Sequence, residues 1–331
     1  MRFGLRLIGY LGTNREIIEL ARAAEAAGFD SVWFPHDTFM HNTWVLTTAA
    51  AEATDRIEIG TVGLNPYTTD PSEIATYAAT LDDLSGGRFI LGLGVHTDKM
   101  IEWTGIDATD HIGKTTEAIA MVRALLAGEV VTGGEHFDWT DQCYLRMPVL
   151  RADLPIYAGG FGPDYLEAGA AVADGSLPMI TPPESAPQMV APIERGVRRG
   201  VRTRDRFTIS GCAWLSLSES RAEATDVMRQ MVAYFGPYLE DHALRAIGLT
   251  AEQMAPLGRM IADGDDAGAR EAVTDDMIRL GLAGTPNDII ERIAWLAEAG
   301  IDEVNLGGPL GPDPRAAIEL MGTAVIPRFR S

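Results

Sequence analysis

The chain has 331 residues, of which 46% are hydrophobic and 22% are charged, and this balance excludes an intrinsically disordered protein. Its net charge of −20 argues against a general binder of nucleic acid or anionic membranes, because phosphate contacts need a basic surface. No apolar run approaches the ~18 residues that span a bilayer, and no secretory leader pattern opens the chain. We therefore expect a cytoplasmic protein with no membrane or nucleic-acid partner.

The spacing of cysteine and histidine predicts neither a disulfide framework nor a metal site. Cys143 and Cys212 lie far apart and form no CxxC motif. His36 and His41 lie close to Asp37, but the sequence places no further ligand beside them. We expect no metal.

The first part of the chain alternates short apolar strands with helices. Asn14 is a suitable N-cap for the first helix, and Gly28 is a suitable residue to end it. Because helical segments separate buried strands, we expect the strands to pair in parallel. The predicted strands are 3–8, 31–34, 57–62 and 89–93, and the predicted helices are about 15–27, 43–53 and 71–84.

The same alternation continues to the end of the chain after interruptions. A hairpin-like excursion is predicted at 130–139, and a long helical stretch is predicted at 219–280. The further predicted strands are 155–158, 175–180, 207–217 and 303–306, and the further predicted helices are about 115–127, 163–173, 184–199, 286–299 and 315–326.

Eight strands, each followed by a helix, predict an α/β fold, a closed (β/α)8 TIM barrel that forms a single domain over 1–331. A doubly wound open sheet is the alternative, and the strand count and the absence of a linker favour the barrel. Insertions at about 95–152 and 218–284 interrupt the repeat. Such insertions cover the C-terminal mouth of a barrel or form an oligomer contact, so we expect a homodimer or homotetramer.

Glycine-rich segments follow the fourth and fifth predicted strands, at the end of a barrel where active sites form. Gly92-Leu93-Gly94 lacks the last glycine of the dinucleotide-binding motif, because Thr97 stands there. Residues 159–162 hold three glycines before a helix that begins near Pro163. The amides of such a helix start bind phosphate well, although an ordinary glycine-rich turn has the same pattern.

Several of these segments resemble the bacterial luciferase-like superfamily in its coenzyme F420-dependent branch. The resemblance is strongest to the methylenetetrahydromethanopterin reductases and covers nearly the whole chain. It rests on Asn65-Pro66-Tyr67-Thr68, on residues 84–94, on Pro155-Ile156-Tyr157-Ala158-Gly159 with the following turn, and on residues 284–312.

The resemblance implies a barrel that holds coenzyme F420, a flat deazaflavin, across its C-terminal mouth, with FMN as the alternative cofactor. It also implies a non-prolyl cis peptide bond at Val62–Gly63, beneath the ring. The expected cofactor contacts are Val62, Gly63, Leu64, Asn65, Gly94, Val95, Thr97, Gly159, Gly160, Phe161, Gly162, Pro163, Ile180 and Cys212.

Catalytic and substrate contacts are less well defined by the resemblance. The catalytic candidates are His36, Asp37 and His96, since histidine and aspartate can relay a proton. The related enzymes usually carry Asp-His where this chain has His36-Asp37, so either residue could be the base or merely bind the ring. The expected substrate contacts are Arg6, Trp44 and Asp98.

Two departures from the reductases concern the substrate. Arg6 stands where they carry glutamate, and Phe161 stands where they carry glutamine. Since a guanidinium prefers carboxylate or phosphate partners, Arg6 predicts either an anionic substrate or a salt bridge with Asp37.

The sequence thus predicts an F420-dependent oxidoreductase that transfers a hydride between the deazaflavin and a small organic substrate. A methylene-pterin-like C–N bond, an imine, an enone and a ketone are all compatible substrates. The alternatives are an FMN-dependent luciferase-like monooxygenase and a non-catalytic cofactor-binding homologue.

Overall fold

Eight parallel strands close into a ring, as the sequence predicts. The computed structural model of the chain describes residues 1–94, 103–179 and 182–330. The ring order is β1-β2-β3-β4-β5-β6-β7-β9, and β9 pairs back with β1. The strands are β1 Arg2–Arg6, β2 Ser31–Pro35, β3 Glu58–Val62, β4 Phe89–Gly94, β5 Ile156–Gly160, β6 Gly175–Pro178, β7 Thr208–Leu217, β8 Leu282–Gly284 and β9 Glu303–Leu310.

The short strand β8 lies outside the ring and pairs with the far end of β7. The sequence does not predict this strand, because three residues at the end of a helical stretch give no periodic signal.

Helices connect the strands and cover the outside of the ring. The first helix begins with a capping box between Thr13 and Glu16, so Thr13, not Asn14, is its N-cap, while Gly28 ends it at φ 86° as expected. The helices are α1 Asn14–Ala27, α2 Thr43–Ala53, α3 Pro71–Leu84, α4 His111–Leu126, α5 Pro163–Val172, α6 Ala186–Arg199, α7 Arg221–Phe235, α8 Asp241–Arg245, α9 Ala251–Ala262, α10 Asp266–Ala272, α11 Asp275–Ile278, α12 Pro286–Glu298 and α13 Pro314–Leu320.

The side chains along each strand alternate between two apolar layers, one outside the ring and one inside it. Outward side chains such as Leu5 and Ile59 pack against the helices, and each such burial contributes about 1.5–3 kcal/mol. Inward side chains fill the barrel, where Trp33 and Tyr157 face each other with ring centroids 5.7 Å apart. Gly60 is required beside them, because a side chain there would overlap the Trp33 indole.

Charged residues close the amino end of the barrel. Glu303 is buried, pairs with Arg2 at 3.1 Å, and accepts a hydrogen bond from Ser210 at 2.7 Å. Arg2 also pairs with Glu58. Burial raises the pKa of Glu303, and Arg2 opposes that rise. These groups lie at the end of the strands opposite the predicted site, so we assign them a structural role.

The insertions form cores of their own. Helices α7 to α11 enclose an apolar cluster that includes Met228, Leu244 and Leu257. In the earlier insertion, the predicted hairpin is reduced to one antiparallel bridge between Val131 and Cys143. No helix of the described residues has both the length and the apolar character needed to cross a bilayer.

Candidate active site

The carboxyl ends of the ring strands meet at one rim, because all neighbouring strands pair in parallel. Arg6 ends β1, and Pro35 of β2 lies in register with Val62 of β3. Gly94 of β4 lies in register with Gly159 of β5. The strand ends singled out from the sequence therefore surround one region of the barrel mouth.

His36 and Asn65 form a polar pair at this rim. The His36 amide donates to the Val62 carbonyl at 2.8 Å, and Asn65 Nδ2 lies 3.3 Å from His36 Nδ1. Asn65 Oδ1 accepts from the amides of Tyr67 and Thr68 at 3.1 and 2.9 Å, and from the Thr68 hydroxyl at 3.0 Å.

These contacts fix the amide orientation of Asn65 and, through it, the tautomer of His36. Because Oδ1 is occupied by three donors, the Nδ2 amide faces the imidazole, and an amide nitrogen can only donate. Nδ1 of His36 must then accept, so the neutral ring carries its proton on Nε2.

Glycines line the rim beside β4 and β5. Gly159 shares a strand face with Tyr157, and a Cβ built on it would lie 3.2 Å from Leu177 Cβ in the barrel interior. A side chain at Gly94 would overlap the carbonyl of Gly159. This closeness of backbones leaves a smooth, side-chain-free wall, which suits a flat ligand.

The turn from β5 to α5 presents an uncapped helix start. Gly162 adopts φ 80° and ψ 145°, a region open essentially to glycine alone, and no side chain caps the helix. The space where its Cβ would point is empty to at least 4 Å. The free amides and the helix dipole favour an anion here, although Asp164 in the first turn adds an opposing negative charge. The residues fit a phosphate-bearing cofactor held by backbone.

Two further sequence candidates lie inside the mouth. Cys212 is fully buried in the interior cluster, and burial raises the pKa of its thiol. Arg6 is also buried, and its guanidinium contacts Met179 Sδ at 3.6 Å and the Ala213 carbonyl at 3.4 Å. The hydrogen bonds of Arg6 go to Met179 and Ala213 and not to Asp37, although Arg6 and Asp37 both act on the hydroxyl of Tyr10.

Aromatic residues at the rim were missed by the sequence analysis. The Tyr10 hydroxyl lies 3.7 Å from Met231 Sδ and packs over Gly308 at the end of β9. Phe39, at φ 67°, pairs with Trp103 at a centroid distance of 6.5 Å, and both rings are exposed. In the sequence each of these residues is a single aromatic in a polar loop. That pattern is too common to identify a residue of the site.

Comparison with known proteins identifies the family. The model of the luciferase-like monooxygenase family matches residues 4–303. The chain belongs to this family. It is 30% identical over 337 residues to the 5,10-methylenetetrahydromethanopterin reductase of Archaeoglobus fulgidus, with 100% of both chains covered. It is 32% identical over 314 residues to the enzyme of that name from Methanolobus tindarius, covering 94% of this chain and 95% of the relative.

A solved structure of the same kind is also similar. The coenzyme F420-dependent tetrahydromethanopterin reductase from Methanopyrus kandleri superposes with a TM-score of 0.92 at 28% identity, and 99% of each chain is covered. The luciferase-like barrel and its order of strands are therefore shared over the full length.

The structure corrects three expectations for this luciferase-like chain. Val62–Gly63 is not cis; the cis bond among the described residues is Gly308–Pro309, and the chain turns instead at Gly63 with φ 69°. The Leu64 side chain packs outward in the helix layer, so only its backbone can face a cofactor. Trp44 also lies in the helix layer, 4.8 Å from Tyr77 and 6.3 Å from Phe89 between ring centroids, and is not a mouth residue.

Five of the predicted contacts lie outside the described residues and stay predictions. They are Val95, His96, Thr97, Asp98 and Ile180.

Proposed function

We propose that this chain is a cytoplasmic F420-dependent oxidoreductase that transfers a hydride between the deazaflavin and a small organic substrate. The relatives named above are methylenetetrahydromethanopterin reductases, one of them described as F420-dependent, and they match along their whole length. The observation that carries the proposal to this chain is the glycine wall of Gly94 and Gly159 next to the uncapped start of α5.

Backbone groups suit the anchoring of the cofactor in so acidic a chain. The protein has two lysines, Lys99 and Lys114, in its whole sequence. Amides at the start of α5, reached past Gly160 and Gly162, would hold the phosphate without a basic side chain. Val62, Gly63 and Asn65 on one side and Cys212 on the other would border the ring.

When bound, F420 supplies two-electron hydride chemistry. The chain's own residues orient the partners and manage the proton. His36, held by Asn65 with its proton on Nε2, would offer a donor at the rim, and Asp37 follows it directly. His96 is proposed to act on the same side. Positioning of this kind is the main contribution a protein makes to such a reaction.

The substrate is a small molecule with a reducible C–N, C–C or C–O double bond. A methylene-pterin is one candidate, but Arg6 and Phe161 replace the polar residues that the resemblance leads us to expect near a pterin.

A direct test is titration of the purified protein with F420, followed by quenching of its fluorescence. We expect saturable quenching, and retention of FMN with no response to F420 would overturn the proposal. Oxygen consumption with reduced FMN would instead identify the monooxygenase alternative. Absence of turnover of reduced F420 with imines, enones, ketones and pterins would identify a non-catalytic homologue.

A matched pair of glycine variants locates the anchoring site. Gly162→Ala forces a side chain into a conformation that L residues avoid and should weaken F420 binding at least tenfold. Gly128→Ala is the control, because Gly128 has nearly the same φ, 81°, and equally open space but ends α4 far from the rim. Equal losses in both variants would contradict a role for the α5 turn.

We further propose a homo-oligomer that uses the later insertion. Tyr234 and Tyr238 expose about half or more of their surface at the end of α7, which is unusual for large aromatic side chains on a monomer. Light scattering that gives a strict monomer would refute this.

A further inference from the structure

Arg6 carries a buried charge that the described residues do not neutralise. Its side chain points into the barrel from the last position of β1, and the residue is only 7% exposed. Its contacts among the described residues are weak: the Met179 thioether at 3.6 Å, the Ala213 carbonyl at 3.4 Å and the buried Cys212 thiol. A guanidinium has five N–H donors, and a thioether is a poor acceptor.

Three part-buried arginines elsewhere in the chain have stronger hydrogen-bond partners than Arg6. Arg88 donates five hydrogen bonds of 2.8–3.1 Å, four of them to carbonyl oxygens. Arg151 binds both oxygens of the buried Asp82, and Arg123 binds Asp174 at 2.8 Å. These three part-buried guanidinium groups are thus each satisfied by carbonyl or carboxylate oxygens. Arg6 is more deeply buried than they are and has no carboxylate partner among the described residues, and a buried charge without such a partner is costly.

Small and sulfur-containing residues hold the guanidinium in place, and the described carboxylate that acts on the same corner is Asp37, whose charge reaches the Tyr10 hydroxyl. Gly307 of β9 makes room for it, since a Cβ there would lie 2.8 Å from the Arg6 Cζ. Cys212 and Met179 contribute sulfur atoms beside it. Tyr10 packs its buried hydroxyl end over the next residue of β9, while the residue as a whole is 42% exposed at the mouth.

We propose that Arg6 is the binding residue for a carboxylate group of the substrate. The proposal rests on the proposed function, because it places a small organic acid above the cofactor at the same mouth. A carboxylate would accept two parallel hydrogen bonds from the planar guanidinium and supply the missing charge. The net charge of −20 would repel anions at long range. Attraction of a carboxylate would therefore be confined to the buried Arg6 guanidinium, which would select an acid that fits the mouth.

Ligand-observed NMR with acetate and its neutral analogue acetamide tests the site on the whole, cofactor-free protein at constant ionic strength. We expect saturable binding of acetate and none of acetamide. Arg6→Met should weaken acetate binding at least tenfold. Arg6→Lys keeps the positive charge but loses the two parallel N–H donors of the guanidinium, and it should weaken acetate binding less. Arg22→Met is the matched control, because Arg22 is an exposed arginine on α1 and should leave acetate binding unchanged.

Three results would overturn the proposal. The first is equal acetate binding by the unchanged protein and by Arg6→Met, or no acetate binding at all. The second is tighter binding of inorganic phosphate than of acetate, which would assign the site to a phosphate. The third is loss of F420 quenching in Arg6→Met together with unchanged acetate binding, which would make Arg6 a cofactor contact.

The failure of this proposal can be told apart from failure of the proposed function. Missing F420 quenching in the unchanged protein refutes the cofactor, whereas missing acetate binding refutes the carboxylate site. If Arg6→Met does not fold, the comparison of Arg6→Lys with Arg22→Met decides the question in the same assay.

Discussion

Substitution of Asn65 separates the folding of the β3 turn from the chemistry of His36. Asn65 is 1% exposed, and its two amide atoms have different tasks. Oδ1 accepts three hydrogen bonds from the turn, whereas Nδ2 faces His36. Asn65→Ala removes both functions. Asn65→Asp keeps acceptors for the turn and replaces the donor that faces the imidazole.

The structure sets the size of each effect. Three lost hydrogen bonds at about 0.5–1.5 kcal/mol each, partly replaced by water at the half-buried Tyr67 and Thr68, give a loss of about 2–3 kcal/mol for Asn65→Ala. With an entropy of unfolding of about 2.1 cal/mol/K per residue, that loss lowers Tm by about 3–4 °C in a chain of this length. Asn65→Asp should lower Tm by about 1 °C or less.

The effect on the His36 imidazole should be larger in Asn65→Asp than in Asn65→Ala. A carboxylate beside Nδ1 can only accept a hydrogen bond, so Asn65→Asp should move the proton of the neutral imidazole from Nε2 to Nδ1. Nitrogen-15 NMR of the imidazole gives the tautomer directly, and we expect the Nε2–H form in the unchanged protein. An Nδ1–H tautomer in the unchanged protein, or an Nε2–H tautomer retained in Asn65→Asp, would refute the reasoning.

Three other predictions follow from buried or paired charges. Removal of the unpaired charge in Arg6→Met should raise Tm by about 1–2 °C without ligand, and a lowered Tm would show that Arg6 is satisfied in the fold. Asp174→Ala should lower the free energy of unfolding in urea by about 3 kcal/mol, because Asp174 accepts hydrogen bonds from Arg123, Arg202 and the Ile156 amide. The control Asp275→Ala removes an exposed carboxylate and should change that free energy by less than about 0.5 kcal/mol. Hydrogen bonds that the His136 imidazolium donates to Glu117 and Asp110 raise the pKa of His136 above its ordinary 6.5. The stabilisation is therefore complete below 6.5 and is lost as pH rises through the raised pKa. The hydrogen-exchange protection factors of residues 130–139 should therefore fall over that range in the unchanged protein but not in His136→Gln.

The barrel could be predicted because its strands are short apolar runs separated by well-capped helices. Glycine and proline mark the turns clearly, and Gly28 ends α1 as its sequence position implies. The three-residue β8 could not be predicted, because its pairing depends on the far end of β7 and not on its own sequence.

The orientation of side chains was harder to predict than the position of elements. Trp44 follows β2 closely enough to suggest the mouth, but α2 is apolar on most sides, so its pattern does not fix which face turns inward. The unusual backbone at the end of β3 was expected at Val62–Gly63 as a cis bond, whereas the structure has a trans bond there and a positive φ at Gly63, which glycine adopts without strain.

Much of the candidate site could nevertheless be read from strand ends. His36 and Asn65 were both singled out, and the parallel register that brings Pro35 opposite Val62 explains their contact. The surroundings of Arg6 could not be foreseen, because its described contacts with Met179, Ala213 and Cys212 come from segments that are distant in the sequence.

A crystal structure of the protein with F420 bound would give the position of the cofactor. We expect the deazaflavin ring at the carboxyl ends of the strands, against Gly94 and Gly159, with the phosphate on the amides that begin α5. A cofactor bound elsewhere, or a phosphate held away from Gly162 and Pro163, would contradict it.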